Sequence, residues 1–155
     1  MPQWVGSFRA IGTYRSVNRT TTRKKTMKSQ LVYLNMLIGI SVLTTIFHTL
    51  ILVRVIPFEI TWGGRLKTVE EMYVFEALSI LITFFFIFVL LQKGEYIPYF
   101  FGKKSVSIVL WVFFVIFILN TIGNVFAETN FEKYFSIITL ANSILIWVVN
   151  KTTTK

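Results

Sequence analysis

Four long stretches of this 155-residue chain carry almost no charged side chains. Residues 31–53, 105–127 and 134–150 contain no Asp, Glu, Lys or Arg, and residues 72–92 contain only Glu76. An α-helix needs roughly 20 mostly apolar residues to cross a hydrocarbon core about 30 Å thick. The pattern therefore predicts an all-α fold, a four-helix transmembrane bundle running up-down-up-down, with helices near 31–55, 70–92, 105–127 and 132–150.

A soluble helical bundle is the alternative, and the sequence argues against it. Charged residues make up 15% of the chain, whereas soluble proteins average about a quarter. A soluble helix also needs one polar face. The segments ITFFFIFVLL and SIVLWVFFVIFIL have no such face.

The residue inventory excludes several kinds of chemistry. The chain has no Cys and no Asp, and His48 is its only histidine. The chain therefore lacks the residues for a thiol nucleophile, a Cys-ligated zinc, an iron–sulfur cluster or a pair of haem ligands. One His with scattered Ser and Thr spells out no nucleophile–base pair. We predict no catalytic residues, no metal site and no cofactor, and the sequence favours a function other than catalysis.

The positive charges are distributed unevenly between the two ends of the predicted helices. The side that holds the termini and the loop after helix 2 has 12 Lys and Arg, and the other side has 4. Cytoplasmic loops of membrane proteins carry an excess of Lys and Arg. The count predicts a multi-pass protein of a bacterial inner membrane with both termini in the cytoplasm.

Residues 1–30 form a separate region with seven basic residues and no acidic one. Three interpretations are open: a disordered tail that contacts anionic lipid headgroups, a segment resembling an organellar transit peptide, or a start-site artefact with Met27 as the first residue. The third is favoured, because "MKSQLVYLNML" is an ordinary beginning for a bacterial membrane protein. The tail adjoins a span, so lipid is the expected partner and nucleic acid is not. The chain thus divides into a tail, 1–30, and a transmembrane domain, 31–150.

The loop "ITWGGRLKTVEE" between helices 1 and 2 has the elements of a capped turn. Pro57 is predicted to end helix 1, since proline lacks an amide hydrogen. Gly63 and Gly64 permit a tight reversal. Thr68 and Glu71 have the spacing of a capping box at the start of helix 2.

Thr129 and Glu132 repeat that spacing before helix 4. An acidic group in the first turn also meets the positive end of the helix dipole. The repetition predicts that helices 2 and 4 begin on the same, outer side of the membrane, and it gives Glu132 a capping role.

Ionisable residues inside a span are costly and by default indicate function. His48 lies about 10 Å below the outer boundary at 1.5 Å per residue, and Glu76 lies about two turns into helix 2. Polar groups of three helices thus fall at similar depth in the outer half. The candidate ligand-binding residues are Glu76, His48, Arg65, Trp62, Asn120 and Asn124.

The motifs "ITWGGRLKTVEEMYVFE", "LQKGEYI" and "LNTIGNVFAETNFEKYF" resemble a group of small four-span bacterial membrane proteins to which no activity is assigned. The resemblance covers roughly residues 27–150. It implies the four-span topology and the importance of residues 61–65, and it implies no substrate.

Two functional hypotheses follow. The first is a non-enzymatic interaction, assembly or accessory subunit, with a second copy or another membrane protein as partner. It predicts that Glu76, His48 and Arg65 pair with each other and leave no sizeable cavity. The second is a binder, carrier or enzyme for a small or lipid-like ligand. It predicts an outward-facing pocket around Glu76 and His48 with an unpaired carboxylate.

Overall fold

The computed structural model describes the backbone of residues 4–62, 66–127 and 129–151, with side chains from Met27 onward apart from that of Ile60. The helices are α1 (Trp4–Leu52), α2 (Val69–Lys93), α3 (Lys103–Val125) and α4 (Asn130–Lys151), and a 3₁₀ helix (Phe58–Ile60) lies between α1 and α2. Met27–Leu52 and the other three helices are long and apolar enough to cross a membrane. The predicted all-α, four-helix, multi-pass architecture is confirmed. The division into tail and domain stays a prediction.

The helices pack as a bundle in which each contacts the next in the chain and α4 returns to α1. Only 17% to 28% of the most apolar part of each span is buried inside the bundle. The remaining side chains, such as Leu43, Leu81 and Leu119, are large, apolar and exposed. So much contiguous apolar surface requires contact with the lipid bilayer.

One half of the bundle is filled by a close-packed apolar core. Leu37, Val89, Leu110 and Ile146 come from the four helices and are completely buried. Phe86 stacks on Phe113 with ring centroids 4.5 Å apart. This core ends at the level of Phe86, and the other half of the bundle is packed differently.

A polar cluster closes the filled half at its far end. The amide of Asn150, which is buried, donates to the backbone oxygen of Ser107 at 2.9 Å. Its Oδ1 accepts from the Ser107 hydroxyl at 2.7 Å and from Lys93 Nζ at 3.0 Å. The cluster ties α2, α3 and α4 together. Sequence analysis missed it, because Lys93 and Asn150 stand at the ends of apolar runs and looked like boundary residues.

Helix α1 ends at Leu52, which differs from the prediction that Pro57 ends it. Arg54 adopts the left-handed conformation with φ 61°. The amide of Arg54 then donates to the carbonyl of Ile51 at 2.8 Å, and that of Val55 to the carbonyl of Leu50 at 2.9 Å. This is a Schellman motif, and it reverses the chain before proline is reached. Pro57 instead precedes the 3₁₀ helix as its N-cap.

Helix α2 begins at a complete capping box. The Glu71 amide donates to the Thr68 hydroxyl at 3.2 Å, and the Glu71 carboxylate accepts from the Thr68 amide at 3.4 Å. The same carboxylate oxygen accepts from the Lys67 amide at 2.9 Å. The first turn of α2 is therefore fixed by residues that the sequence pattern singled out.

Helix α2 ends at Gly94, whose importance is steric. The left-handed position of this helix end is occupied by Glu95, with φ 58°, and Gly94 itself has φ −80°. A Cβ atom added to Gly94 would collide with the Leu34 side chain of α1 and lie 2.7 Å from the Tyr96 ring. Glycine here permits close approach of α1 to the end of α2.

We expect Gly94→Ala to destabilise the bundle by about 1–3 kcal/mol, the usual penalty for overpacking a filled site. Thermal unfolding in detergent measures it. Gly123→Ala in α3 is the matched control, because an added Cβ there meets nothing within 4 Å. Equal unfolding temperatures for the two variants would contradict this account of Gly94.

Candidate functional site

A buried carboxylate joins α1, α2 and the segment between them. Glu76 is completely buried. Its Oε2 lies 2.6 Å from Nδ1 of His48, and its Oε1 accepts from Nε1 of Trp62 at 2.9 Å. An ionised carboxylate can only accept hydrogen bonds, so Nδ1 of His48 carries the hydrogen in that state. We call these three residues the Glu76 cluster.

The cluster holds Trp62 in an unusual backbone conformation. Trp62 has φ 57°, a left-handed conformation that costs a bulky residue of order 1–3 kcal/mol. Its indole donates to Glu76 and its ring lies 5.0 Å from that of Phe75. Thr61, buried beside it, donates to the Phe58 carbonyl at 2.8 Å. These contacts fix where the connection lies over the end of the bundle.

Arg54, which follows the end of α1, contacts an aromatic ring. The guanidinium of Arg54 lies over the Tyr73 ring, 5.4 Å from its centroid. Gly63, Gly64 and Arg65, which were predicted as a turn and an anion-binding group, lie outside the described residues. The Glu76 carboxylate thus has nitrogen donors of His48 and Trp62 on its two oxygens.

A cavity of about 400 Å³ occupies the half of the bundle that contains the Glu76 cluster. All four helices and the segment before α2 contribute to its wall. The predicted residues His48, Trp62, Asn120 and Asn124 line it, whereas Glu76 lies behind His48 and Trp62. Seven aromatic side chains share the wall: Phe47, Trp62, Phe86, Phe113, Phe117, Phe131 and Phe135.

The polar part of the wall includes a side chain with an unsatisfied atom. Asn142 lines the cavity and is 3% exposed, and its Oδ1, which is itself fully buried, has no hydrogen-bond partner among the described residues. A buried polar atom left unpaired costs about 1–3 kcal/mol. Sequence analysis noted Asn142 in the middle of helix 4 and assigned it nothing. No local pattern signals which asparagine faces a cavity.

Glu132 belongs to the cavity as well as to the start of α4. Its amide donates to the Thr129 hydroxyl at 3.3 Å, and that hydroxyl donates to its carboxylate at 2.8 Å. The first contact is the amide-to-hydroxyl half of the predicted capping box. Glu132 is 7% exposed and lines the cavity, so it is a site residue that sequence analysis treated only as a cap.

The hydrogen bonds of the wall give no sign of an activated nucleophile. The hydroxyls of Ser41, Thr44 and Thr83 donate to backbone carbonyls of their own helices at 2.8, 2.9 and 2.7 Å. Nδ1 of His48 is engaged by Glu76. Within the described parts of the chain, no three His or Glu residues are grouped as a metal site requires.

Each of the two functional hypotheses agrees with one feature of this site. Glu76 and His48 are paired, as the accessory-subunit hypothesis requires. The cavity, which that hypothesis excluded, is present. The paired carboxylate stabilises the bundle at one side of an open space that it does not line.

We expect the Trp62–Glu76 hydrogen bond to stabilise the protein by about 0.6–2 kcal/mol, the range for such bonds in membrane proteins. A double-mutant cycle of Trp62→Phe and Glu76→Gln, read by unfolding in detergent, isolates this coupling. Trp111→Phe with Glu76→Gln is the control cycle, because Trp111 packs on Phe114 in α3. Equal coupling in both cycles would mean that the hydrogen bond contributes nothing.

Comparison with protein-family models, with curated protein sequences and with solved structures found no match to this chain. The resemblance to small four-span bacterial proteins therefore stays a prediction.

Proposed function

We propose that this four-span membrane protein binds a small amphiphilic ligand in the cavity beside the Glu76 cluster and performs no chemistry on it. The single observation that carries the proposal is the cavity itself. Its volume of about 400 Å³ falls in the range of about 300–1,000 Å³ that is typical of ligand pockets. Aromatic walls with a few polar groups are also typical of such sites.

The close packing of the rest of the bundle supports the interpretation of the cavity as a binding site and not as a packing defect. Leu37, Val89, Leu110 and Ile146 fill the other half to complete burial, so the sequence can pack these helices closely. Protein interiors hold few voids larger than a water molecule. A large space confined to one half of a bundle that otherwise packs closely is accounted for by a ligand.

The ligand enters from the lipid between α2 and α3. These two helices pack least closely of the four neighbouring pairs. Ile82 of α2 and Ile116 and Asn120 of α3 line the cavity and are also exposed. An exposed asparagine within a span is unfavourable against hydrocarbon. At the rim of a lipid-facing entrance, Asn120 lies next to other polar groups and is less unfavourable.

The proposed orientation places this site in the outer half of a bacterial inner membrane, with both termini in the cytoplasm. The excess of Lys and Arg on the terminal side supports it. Lys93, Lys103 and Lys104 then lie where anionic headgroups are available.

An accessory subunit remains the second candidate function, because the Glu76 cluster is a fully paired interhelical connection. Its partner is a second copy or another membrane protein that contacts the apolar outer surface.

Filling the cavity is expected to abolish binding. Ser79 of α2 lines the cavity, and Ala77 of the same helix is exposed and does not. We expect membrane lipid extract to raise the unfolding temperature of the purified wild type and of Ala77→Phe, and to leave Ser79→Phe unchanged. Equal shifts in all three proteins would place the lipid on the outer surface and support the accessory-subunit function.

The orientation is directly testable, because the chain has no cysteine. We expect Lys67→Cys to react with a membrane-impermeant maleimide in intact cells, and Lys104→Cys to react only after permeabilisation. Both lysines are exposed in loops or at a helix start. The reverse labelling pattern would invert the proposed orientation.

A further inference from the structure

We infer that the cavity holds one extended alkyl chain of about 12–14 carbons, the hydrophobic part of a lipid-like ligand, and that Phe86 and Phe113 limit its length. This ligand shape rests on the proposed function and extends it. Three features of the cavity carry it: its length, its closed end and the place of its polar groups.

The cavity is elongated parallel to the helices. On α3 its lining residues follow one helix face from Phe113 to Asn124, and on α4 they do so from Phe131 to Asn142. Each of these stretches is about 16 Å long at 1.5 Å per residue. That length is about half of the hydrocarbon core of a bilayer. The cavity therefore matches the depth that an alkyl chain of one leaflet covers.

One end of the cavity is closed by a floor, to which each helix contributes one side chain. The floor residues, each at most 5% exposed, are Ser41, Phe86, Phe113 and Asn142. The rings of Phe86 and Phe113 lie with their centroids 4.5 Å apart, and both belong to the close-packed apolar core. An alkyl chain in the cavity therefore ends at these two rings.

The polar end of the ligand belongs at the end of the cavity away from the floor. His48, Trp62 and Asn124 line that end. The Trp62 residue is 37% exposed and the His48 side chain 19%. At the floor, Ser41 and Asn142 are each only 3% exposed, and the Ser41 hydroxyl donates to a carbonyl of its own helix at 2.8 Å. The apolar end of an amphiphile therefore fits at the floor.

The cavity has room for one such chain. Its volume of about 400 Å³, spread over its length, gives a mean cross-section of about 25 Å². Carbon atoms in contact lie about 4 Å apart, so one chain takes roughly 16 Å² and two chains roughly 32 Å². A fully extended chain of single bonds advances about 1.2 Å per bond. The length of the cavity therefore corresponds to about 12–14 carbons.

The test is a series of ligands that differ only in chain length. The full chain is purified in a steroid-based detergent, which has no straight alkyl chain to compete for the cavity. It is titrated with saturated monoacylglycerols from octanoyl to octadecanoyl, and the half-saturating mole fraction in the micelle is read from the unfolding temperature. We expect the dodecanoyl and tetradecanoyl compounds to act at about one tenth of the mole fraction that the shortest and longest compounds need, because unfilled volume and overpacking are both unfavourable.

Two substitutions at the closed end are expected to move this optimum in opposite directions. Phe113→Leu shortens a side chain of the floor, so the optimum becomes longer by about two carbons. Thr83 lines the cavity one turn from Phe86. Thr83→Phe fills that turn, so the optimum becomes shorter by about four carbons.

Each substitution has a matched control on the outer surface. Phe84→Leu is the control for Phe113→Leu, because Phe84 is 57% exposed and does not line this cavity. Ala77→Phe is the control for Thr83→Phe. Both controls are expected to keep the wild-type optimum.

The outcomes separate the two proposals. A shift in the expected direction supports the extended chain, and either variant suffices if the other does not fold. An optimum that stays in place in both, or a wild type without an optimum, overturns the inference, while a loss of all responses in Ser79→Phe keeps the cavity as a binding site. Responses that are identical in wild type and Ser79→Phe overturn the proposed function and the inference with it.

Discussion

Glu76 is a carboxylate completely buried within a bundle whose outer face needs hydrocarbon. A carboxylate in such surroundings is tolerated only when hydrogen-bond donors take the place of water. His48 supplies one from α1 and Trp62 supplies the other from the segment before α2. The need to satisfy one acid therefore fixes α1 against α2 and holds Trp62 in a left-handed conformation. Because His48 and Trp62 also line the cavity, its shape at this end depends on the same interaction.

The two halves of the bundle illustrate two ways of packing the same four helices. In one half, Leu37, Val89 and Leu110 fill the space between helices, and Asn150 satisfies its amide on Ser107 and Lys93. In the other, aromatic and polar side chains surround an open volume. Helix association in a membrane gains no hydrophobic driving force, since lipid is as apolar as the core. An unfilled volume is consequently a feature that a lipid-like molecule can occupy at little cost in packing.

Several local features could be predicted because they depend on residues close in sequence. The capping box at Thr68 and Glu71 is one, and the depth of His48 and Glu76 in their spans is another. The end of α1 could not be predicted in the same way. The residue in the left-handed conformation at this helix end is Arg54, whereas glycine is the usual signal of such an end. The sequence pattern therefore indicated Pro57 as the end of the helix. The steric requirement for glycine at position 94 could not be predicted either, since it depends on the approach of Leu34 from another helix. Glu132 fits a local capping motif, and that motif gave no indication that its side chain also lines the cavity.

The sequence by itself determined that this protein is a bundle of four membrane-spanning helices, because length and uninterrupted hydrophobicity are properties of single segments and the bilayer fixes both. It also determined that thiol chemistry and cysteine-ligated metals are excluded, because the chain has no cysteine. Only the tertiary structure decided that Glu76 pairs with His48 and Trp62, that the Asn142 oxygen has no partner among the described residues, and that a cavity lies between the helices in the half of the bundle that contains the Glu76 cluster. Those facts depend on the rotation and spacing of helices around one another. In apolar segments with no polar face, the sequence carries little information about which side of a helix turns inward.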